Sequence, residues 1–268
     1  STNGVMRSGA KNVKEDFNMS SEIEHLTNGY SQSKWVGEQL VLRSISQGFP
    51  AAIFRPGNMA GPDPRQNIQD QNSEVFSMNK NADDINLSVA EMSGWNAKDS
   101  NWLIMAGCAV VGAYPKIPDW FCELTPVNWA ANSVVKLMCS GSEINDKVYH
   151  LANPTPVSYE SMFDVLKGNG IEMKAVLYDE WRQLCKDKKQ HMTTGEKSSR
   201  LESMWALVES LENEDQMKGA DCTTFDCTQL LQSLCNISSS KEKVDYPPVD
   251  AALMTAYTKH WKETNVFN

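Results

Sequence analysis

Between Gly29 and Pro62 the sequence passes from one periodicity to another in an order that few architectures accommodate. A helical segment carrying Trp35, Val36, Leu40 and Val41 stops at Gly48, just before Pro50. The run Ala51-Ala52-Ile53-Phe54 follows without alternation, as expected of a strand buried on both faces. It empties into Arg55-Pro56-Gly57-Asn58-Met59-Ala60-Gly61-Pro62, a proline/glycine turn. Upstream, the hydroxyl-rich stretch Ser1-Thr2-Asn3-Gly4-Val5 suits the carboxyl end of an earlier strand. Strand, helix, strand and turn predict an α/β sheet of the nucleotide-binding type. Ligands of open α/β sheets bind at the carboxyl ends of the strands, where Thr2 and the turn from Arg55 to Gly61 are both expected.

The helical segment contains Gly29-Tyr30-Ser31-Gln32-Ser33-Lys34. Residues four apart on a helix are neighbours, so the Lys34 ammonium is expected beside the Tyr30 phenol. A fixed positive charge next to a phenol favours its ionised form, which makes it a proton donor to a developing alkoxide at neutral pH. The same spacing also occurs on plain solvated helix faces. Its place between a hydroxyl-bearing strand end and a proline/glycine turn favours the chemical reading.

Taken in order, the hydroxyl strand, Tyr30-x-x-Ser33-Lys34 and Arg55-Pro56-Gly57-Asn58 resemble an extended short-chain dehydrogenase/reductase. Later stretches resemble the thioester reductase domain within that superfamily, the type found in nonribosomal peptide synthetases, some polyketide synthases, carboxylic acid reductases and aminoadipate reductases. They are Asn67-Ile68-Gln69-Asp70, Ala106-Gly107-Cys108, Leu124-Thr125-Pro126-Val127-Asn128-Trp129-Ala130, Val148 to Pro154, Tyr178-Asp179-Glu180-Trp181 and Tyr246-Pro247-Pro248-Val249-Asp250. The fold so implied is the C-terminal part of a Rossmann-type, doubly wound parallel sheet with a smaller, mostly helical substrate domain.

The resemblance also implies a reaction: reduction by NADPH of an acyl or peptidyl thioester, held on the phosphopantetheine arm of a carrier domain, to an aldehyde, or in two rounds to an alcohol. Tyr30, Lys34 and Thr2 are its catalytic set, with Ser1 the alternative to Thr2. Tyr30 and Lys34 also face the cofactor, Pro56, Gly57 and Asn58 border its nicotinamide, and Asn58 and Met59 face the substrate. Arg55 reads as structural, and Asn67 and Asp70 as loop-fixing. Two other readings share these residues. One is an extended reductase or epimerase acting on acyl-CoA or a nucleotide sugar, against which the tail motif at Pro247 to Asp250 speaks. The other is a noncatalytic Rossmann-like remnant.

A dinucleotide-binding fold uses a glycine-rich turn whose N–H groups hold the pyrophosphate at a helix N-terminus. No Gly-x-x-Gly-x-x-Gly follows a strand in this sequence; Gly107 and Gly112 sit in a segment predicted as a helix ending at Tyr114-Pro115, where the pair reads as helix packing. The expectation is a fragment lacking an upstream portion on the order of 120 residues, inactive in isolation. The expected organisation is residues 1–62 as the end of the NADP-binding domain, 63–100 as a polar insertion around Trp95, 101–185 as a mixed region and 186–268 as a helical subdomain.

At 268 residues, 41% hydrophobic and 22% charged, the chain is long enough for one or two cored domains. Its net charge of −9 argues against nucleic acid as the main partner. The cluster Lys186-Asp187-Lys188-Lys189 reads as a solvated loop. The apolar stretch Ala106 to Tyr114 is too short to cross a bilayer, so no membrane is expected as partner. Seven cysteines without a Cys-x-x-Cys pair read as reduced thiols of a cytoplasmic protein, with Cys122, Cys139 and Cys185 on buried segments. Cys222, Cys227 and His191 match no zinc spacing, so no metal is expected. Helical stripes are expected at Val127, Ala130, Ala131, Val134, Leu137 and Met138, at Met162, Phe163 and Leu166 behind a Ser158 cap, at Leu201, Met204, Trp205, Val208 and Leu211, and at Leu253, Met254, Tyr257 and Trp261.

Overall fold

The computed structural model describes residues 3–7, 9–66, 99–140, 144, 145, 147–191, 199–210, 222–237 and 244–264. Ser1, Thr2, Asn67, Asp70, Trp95 and Leu211, named above, lie outside them. Two 3-10 turns, Asn3–Val5 and Met19–His25, precede the regular elements. These run as α1 (Gly29–Ser46), β1 (Ile53–Pro56), β2 (Met59–Ala60), α2 (Ser100–Val111), β3 (Ala113–Pro115), β4 (Phe121–Cys122), β5 (Thr125–Pro126) and α3 (Val127–Cys139). They continue with β6 (Val148–Leu151), β7 (Val157–Ser158), α4 (Tyr159–Gly168), β8 (Lys174–Val176), α5 (Tyr178–His191), α6 (Ser199–Ser210), α7 (Thr228–Ile237) and α8 (Ala251–Glu263). The fold is α/β, and β1–β6, β2–β5 and β3–β8 pair in parallel.

One compact unit is built from Ser1–Gln66, Glu123–Pro156 and Asp221–Pro248. Here β1 lies in register with β6, Ile53 opposite Val148 and Pro56 opposite Leu151, and β2 lies beside β5. Neighbours that belong to distant parts of the sequence are the signature of parallel pairing, which requires crossover connections. Asn28 caps α1 by accepting the Ser31 N–H at 2.8 Å. The core of this unit gathers Val5, Val13, Met19, Trp129, Leu137, Tyr149, Leu151, Phe225, Leu230, Leu234 and Tyr246, drawn from all three stretches.

The second unit comprises Asn67–Cys122, Val157–Ala220 and Val249–Asn268. Asp99 caps α2, and Gly112 closes it in the left-handed region at φ 70°, which glycine adopts without a Cβ penalty. Inside, Trp102 meets the ring edges of Trp261 at 4.6 Å and Tyr257 at 5.8 Å. Ser158 caps α4, which buries Met162, Phe163 and Leu166 as its pattern predicts. Met204, Trp205 and Val208 are buried on α6, and Leu253, Met254, Tyr257 and Trp261 on α8.

Several local expectations change. Ala113 to Pro115 form a strand paired with β8 instead of ending a helix, because Gly112 stops α2 a turn earlier. The lysine cluster lies on α5, whose buried Trp181 and Cys185 carry the helix through Lys189. On α3 the inward residues are Trp129, Ala130, Ser133 and Leu137, leaving Ala131 and Met138 outside. A rotation of the stripe by one position suffices, since apolar residues on that helix outnumber the places facing the core. Cys139 is exposed for the same reason, while Cys108, Cys122, Cys185 and Cys227 are buried.

Candidate active site

The site is described within the first unit, starting from α1. Its inward stripe is Ser31, Trp35, Glu38, Leu42 and Ile45, at alternating spacings of four and three, so Val36, Leu40 and Val41 face out. The Trp35 indole N–H donates to the Met19 carbonyl at 2.7 Å and fixes the rotation of the helix. That rotation leaves Tyr30 at 62% relative exposure in the first turn. The Lys34 Nζ stands 5.6 Å from the centre of the Tyr30 ring. The predicted pair is therefore formed, and the positive end of the helix macrodipole adds its field at the same phenol. Thr2 and Ser1, the hydroxyls expected to complete the set, lie outside the described residues.

The second half of the site is the turn after β1. Gly57 N–H donates to the Leu151 carbonyl at 2.9 Å, extending the β1–β6 ladder by one step, and Thr125 N–H donates to the Asn58 carbonyl at 2.9 Å. Pro56, Gly57, Asn58 and Met59 are each half-buried, so they form one continuous, partly accessible rim at the carboxyl end of β1. Beyond it, Asp63 N–H donates to the Asn128 side-chain oxygen at 2.9 Å and the Asn128 amide returns a bond to the Asp63 carbonyl at 2.8 Å. The loop between the 3-10 turns walls a cavity of about 400 Å³ with Met6, Arg7, Lys11, Val13, Lys14 and Phe17.

Two buried acids that sequence reasoning passed over organise this region. Glu38 accepts from Arg55 at 2.6 Å (Nη2) and 3.2 Å (Nε), and Arg55 Nη1 lies 3.0 Å from His150 Nε2. His150 Nδ1 is 2.9 Å from the Asp226 carbonyl, which makes Nδ1 the protonated nitrogen and Nε2 the acceptor. Burial and the adjacent Arg55 charge push the imidazole down to about 4, consistent with a neutral ring. The structural reading of Arg55 is the one its geometry favours. Glu38 lies on the inward stripe three residues after Trp35, although its spacing of four from the exposed Lys34 suggested a surface position.

Glu123 is the other. It sits between buried Cys122 and Leu124, and its carboxylate accepts from Asn58 N–H at 2.5 Å, Thr125 Oγ1 at 2.5 Å and Asn153 N–H at 2.7 Å. Burial raises its carboxyl to about 7, against the opposing pull of those three donors. A Cβ built on Gly57 would overlap this carboxylate, so the turn closes on Glu123 only because residue 57 is glycine. The sequence signal was a lone acid in an apolar run directly before Leu124-Thr125-Pro126. No group of His, Cys, Asp and Glu suited to a metal ion occurs among the described residues.

A dinucleotide-binding family, described as Male sterility protein, matches residues 1–134, half of the chain. This chain belongs to that family. Among curated relatives, the family member is 26% identical over 264 residues to a protein named glycine betaine reductase ATRR from Emericella nidulans, covering 97% of this chain and 18% of that protein. It is 31% identical over 168 residues to a linear gramicidin synthase polypeptide from Brevibacillus parabrevis, covering 63% of this chain and 3% of that protein. The chain thus spans less than a fifth of either relative's length. Among solved structures, the terminal R domain from the myxalamid PKS-NRPS pathway superposes with a TM-score of 0.73 at 24% identity, covering 99% of this chain and 57% of that one, a likeness of fold. No described helix is long and apolar enough to cross a membrane.

Proposed function

We propose that this chain supplies the proton donor and the nicotinamide-side turn of a thioester reductase acting on an acyl or peptidyl chain held on a carrier domain's phosphopantetheine arm. The observation that carries the reading is the Tyr30–Lys34 pair: an exposed phenol in the first turn of α1 with an ammonium 5.6 Å from its ring centre. Relatives named as a reductase and as a gramicidin synthase support it. Seven free thiols, four of them buried, suit a cytoplasmic setting.

The residues present fit one end of a dinucleotide. Tyr30 and Lys34 offer accessible polar groups, and the rim from Pro56 to Asn58 carries no side chain at Gly57. NADPH, when bound, supplies the hydride. As negative charge gathers on the thioester carbonyl oxygen, the Tyr30 hydroxyl gives that oxygen its proton and the Thr2 hydroxyl donates a hydrogen bond to it. The hemithioacetal so formed releases the pantetheine thiol and leaves an aldehyde; a second round yields the alcohol. Lys34, beside the phenol, would bind the ribose hydroxyls of the cofactor. Pro56, Gly57 and Asn58 would border the nicotinamide, and Asn58 with Met59 would face the acyl group.

The test is Tyr30→Phe in the enzyme expressed with its native flanking sequence and assayed with an acyl-carrier thioester. Aldehyde formation should fall by about 10²- to 10⁴-fold, while the melting temperature holds, since the lost hydroxyl is on an exposed residue. Turnover retained in Tyr30→Phe removes the reading.

A further inference from the structure

The mechanism above leaves the buried carboxylate of Glu123 unused. Its three partners are all neutral donors. A carboxylate buried without a cation is an expensive way to fill a core position, because desolvation costs several kcal/mol before hydrogen bonds offset it. Stability alone gives no reason for an acid here, whereas geometry does. The three donors come from three separate places: the turn joining β1 to β2 (Asn58), strand β5 (Thr125) and the residue two past β6 (Asn153). Thr125 Oγ1 also accepts the Asn153 N–H at 2.9 Å, so the three are tied to one another as well as to the acid. One side chain thus ties the carboxyl-terminal ends of β1 and β6 to the amino-terminal starts of β2 and β5, and the carboxyl ends of strands are where open α/β sheets bind ligands. The overlap between a Gly57 Cβ and the carboxylate shows that the turn is moulded onto Glu123.

We propose that Glu123 is a positioning residue for the dinucleotide: its carboxylate sets the backbone of the turn from Pro56 to Met59, so that cofactor affinity depends on it. The inference rests on the reading of this turn as the border of the nicotinamide. An amide in place of the carboxylate brings an NH₂ group against at least one of the three donors, which a merely space-filling role would tolerate. A displaced turn lowers affinity without removing any group that touches the cofactor.

Glu123→Gln and Thr125→Val, made in the enzyme with its native flanking sequence, are titrated with NADPH by nicotinamide fluorescence. Both are melted without cofactor, and peptides covering 56–60 are followed by hydrogen exchange. In Glu123→Gln the NADPH dissociation constant should rise by about tenfold, and exchange at Gly57 and Asn58 should quicken. Thr125→Val, which removes one donor and keeps the side-chain size, should move both readouts in the same direction and by less. A lower melting temperature with dissociation constants within about twofold of wild type overturns the proposal. If Glu123→Gln does not fold, Thr125→Val decides by the same two readouts. Dinucleotide binding that weakens in these variants, in an enzyme whose thioester turnover is unaffected by Tyr30→Phe, keeps this inference and sinks the reaction assigned above. A wild-type protein that binds no dinucleotide sinks both.

Discussion

Arg55 donates two hydrogen bonds through Nη2 and Nε to the carboxylate of Glu38, and both side chains are at most 1% exposed. Glu38 stands one helical turn beyond Lys34, and Arg55 directly precedes the Pro56-Gly57 turn. The ion pair therefore joins the helix bearing Tyr30 to the strand bearing the turn. Removing one partner leaves the other charged and buried. Arg55→Met should destabilise the fold by about 3–5 kcal/mol, read as a shift in urea midpoint. Arg55→Lys, which keeps the charge and loses the two-pronged geometry, should fall between that variant and wild type.

Gly57 and Gly107 make opposite predictions for the same substitution. At Gly57 an added methyl meets a fully buried carboxylate fixed by three donors, so Gly57→Ala should cost about 1–3 kcal/mol and weaken cofactor binding. At Gly107, mid-helix in α2, it meets the Met204 sulfur at 2.8 Å, a flexible group that moves aside. The gain from replacing a helical glycine offsets that strain, and Gly107→Ala should lie within about 1 kcal/mol of wild type. Thermal unfolding of the two variants side by side decides; equal losses would show that the Met204 contact is as rigid as the Glu123 one.

The pH dependence of stability carries the mark of the buried acids. Glu15 accepts from the N–H groups of His150, Gln229 and Leu230, yet burial raises it, like Glu123, to about 7 from 4.5. A folded state that holds protons longer than the unfolded chain loses stability as pH climbs from 4.5 to 7. His150 acts in the other direction: lowered from 6.5 to about 4, it costs stability as pH falls across that range. Relative to wild type, Glu15→Gln should therefore be more stable at about pH 8 than at about pH 5, and His150→Asn more stable at about pH 5 than at about pH 8. Urea midpoints at the two pH values check both, and a difference of the opposite sign refutes the assignment.

Thiol reactivity should sort by burial. Cys139 is exposed and Cys222 and Cys235 are partly so, whereas Cys108, Cys122, Cys185 and Cys227 are buried. Burial pushes the Cys185 and Cys227 thiols up to about 12, far from the reactive thiolate. A native protein treated with a thiol reagent should lose Cys139 first, and Cys185 and Cys227 only with global unfolding, as peptide mass spectrometry would record.

The parts of this protein legible in the sequence were those set by local spacing. Tyr30 and Lys34 meet because four residues make about one helical turn, and the stripe at Leu253, Met254, Tyr257 and Trp261 is buried because 3.6-residue periodicity puts those positions on one face. Burial on α3 could not be read so closely, since Ala131, Val135 and Met138 are as apolar as residues that face inward, and only the packed neighbours select among them. Glu38 and Glu123 were hidden for a stronger reason. An acid is ordinarily a surface residue, and its burial becomes tolerable only when Arg55, or Asn58 and Asn153, arrive from distant segments to meet it. The sequence by itself determined α1, α8, strand β1 and the Tyr30–Lys34 pair, all of which follow from interactions within a few residues. The tertiary structure alone decided which strands lie side by side, and which buried carboxylates bind the turn and the helix in place, because parallel pairing and hydrogen bonds across 17 to 65 residues of sequence exist only once the chain has closed on itself.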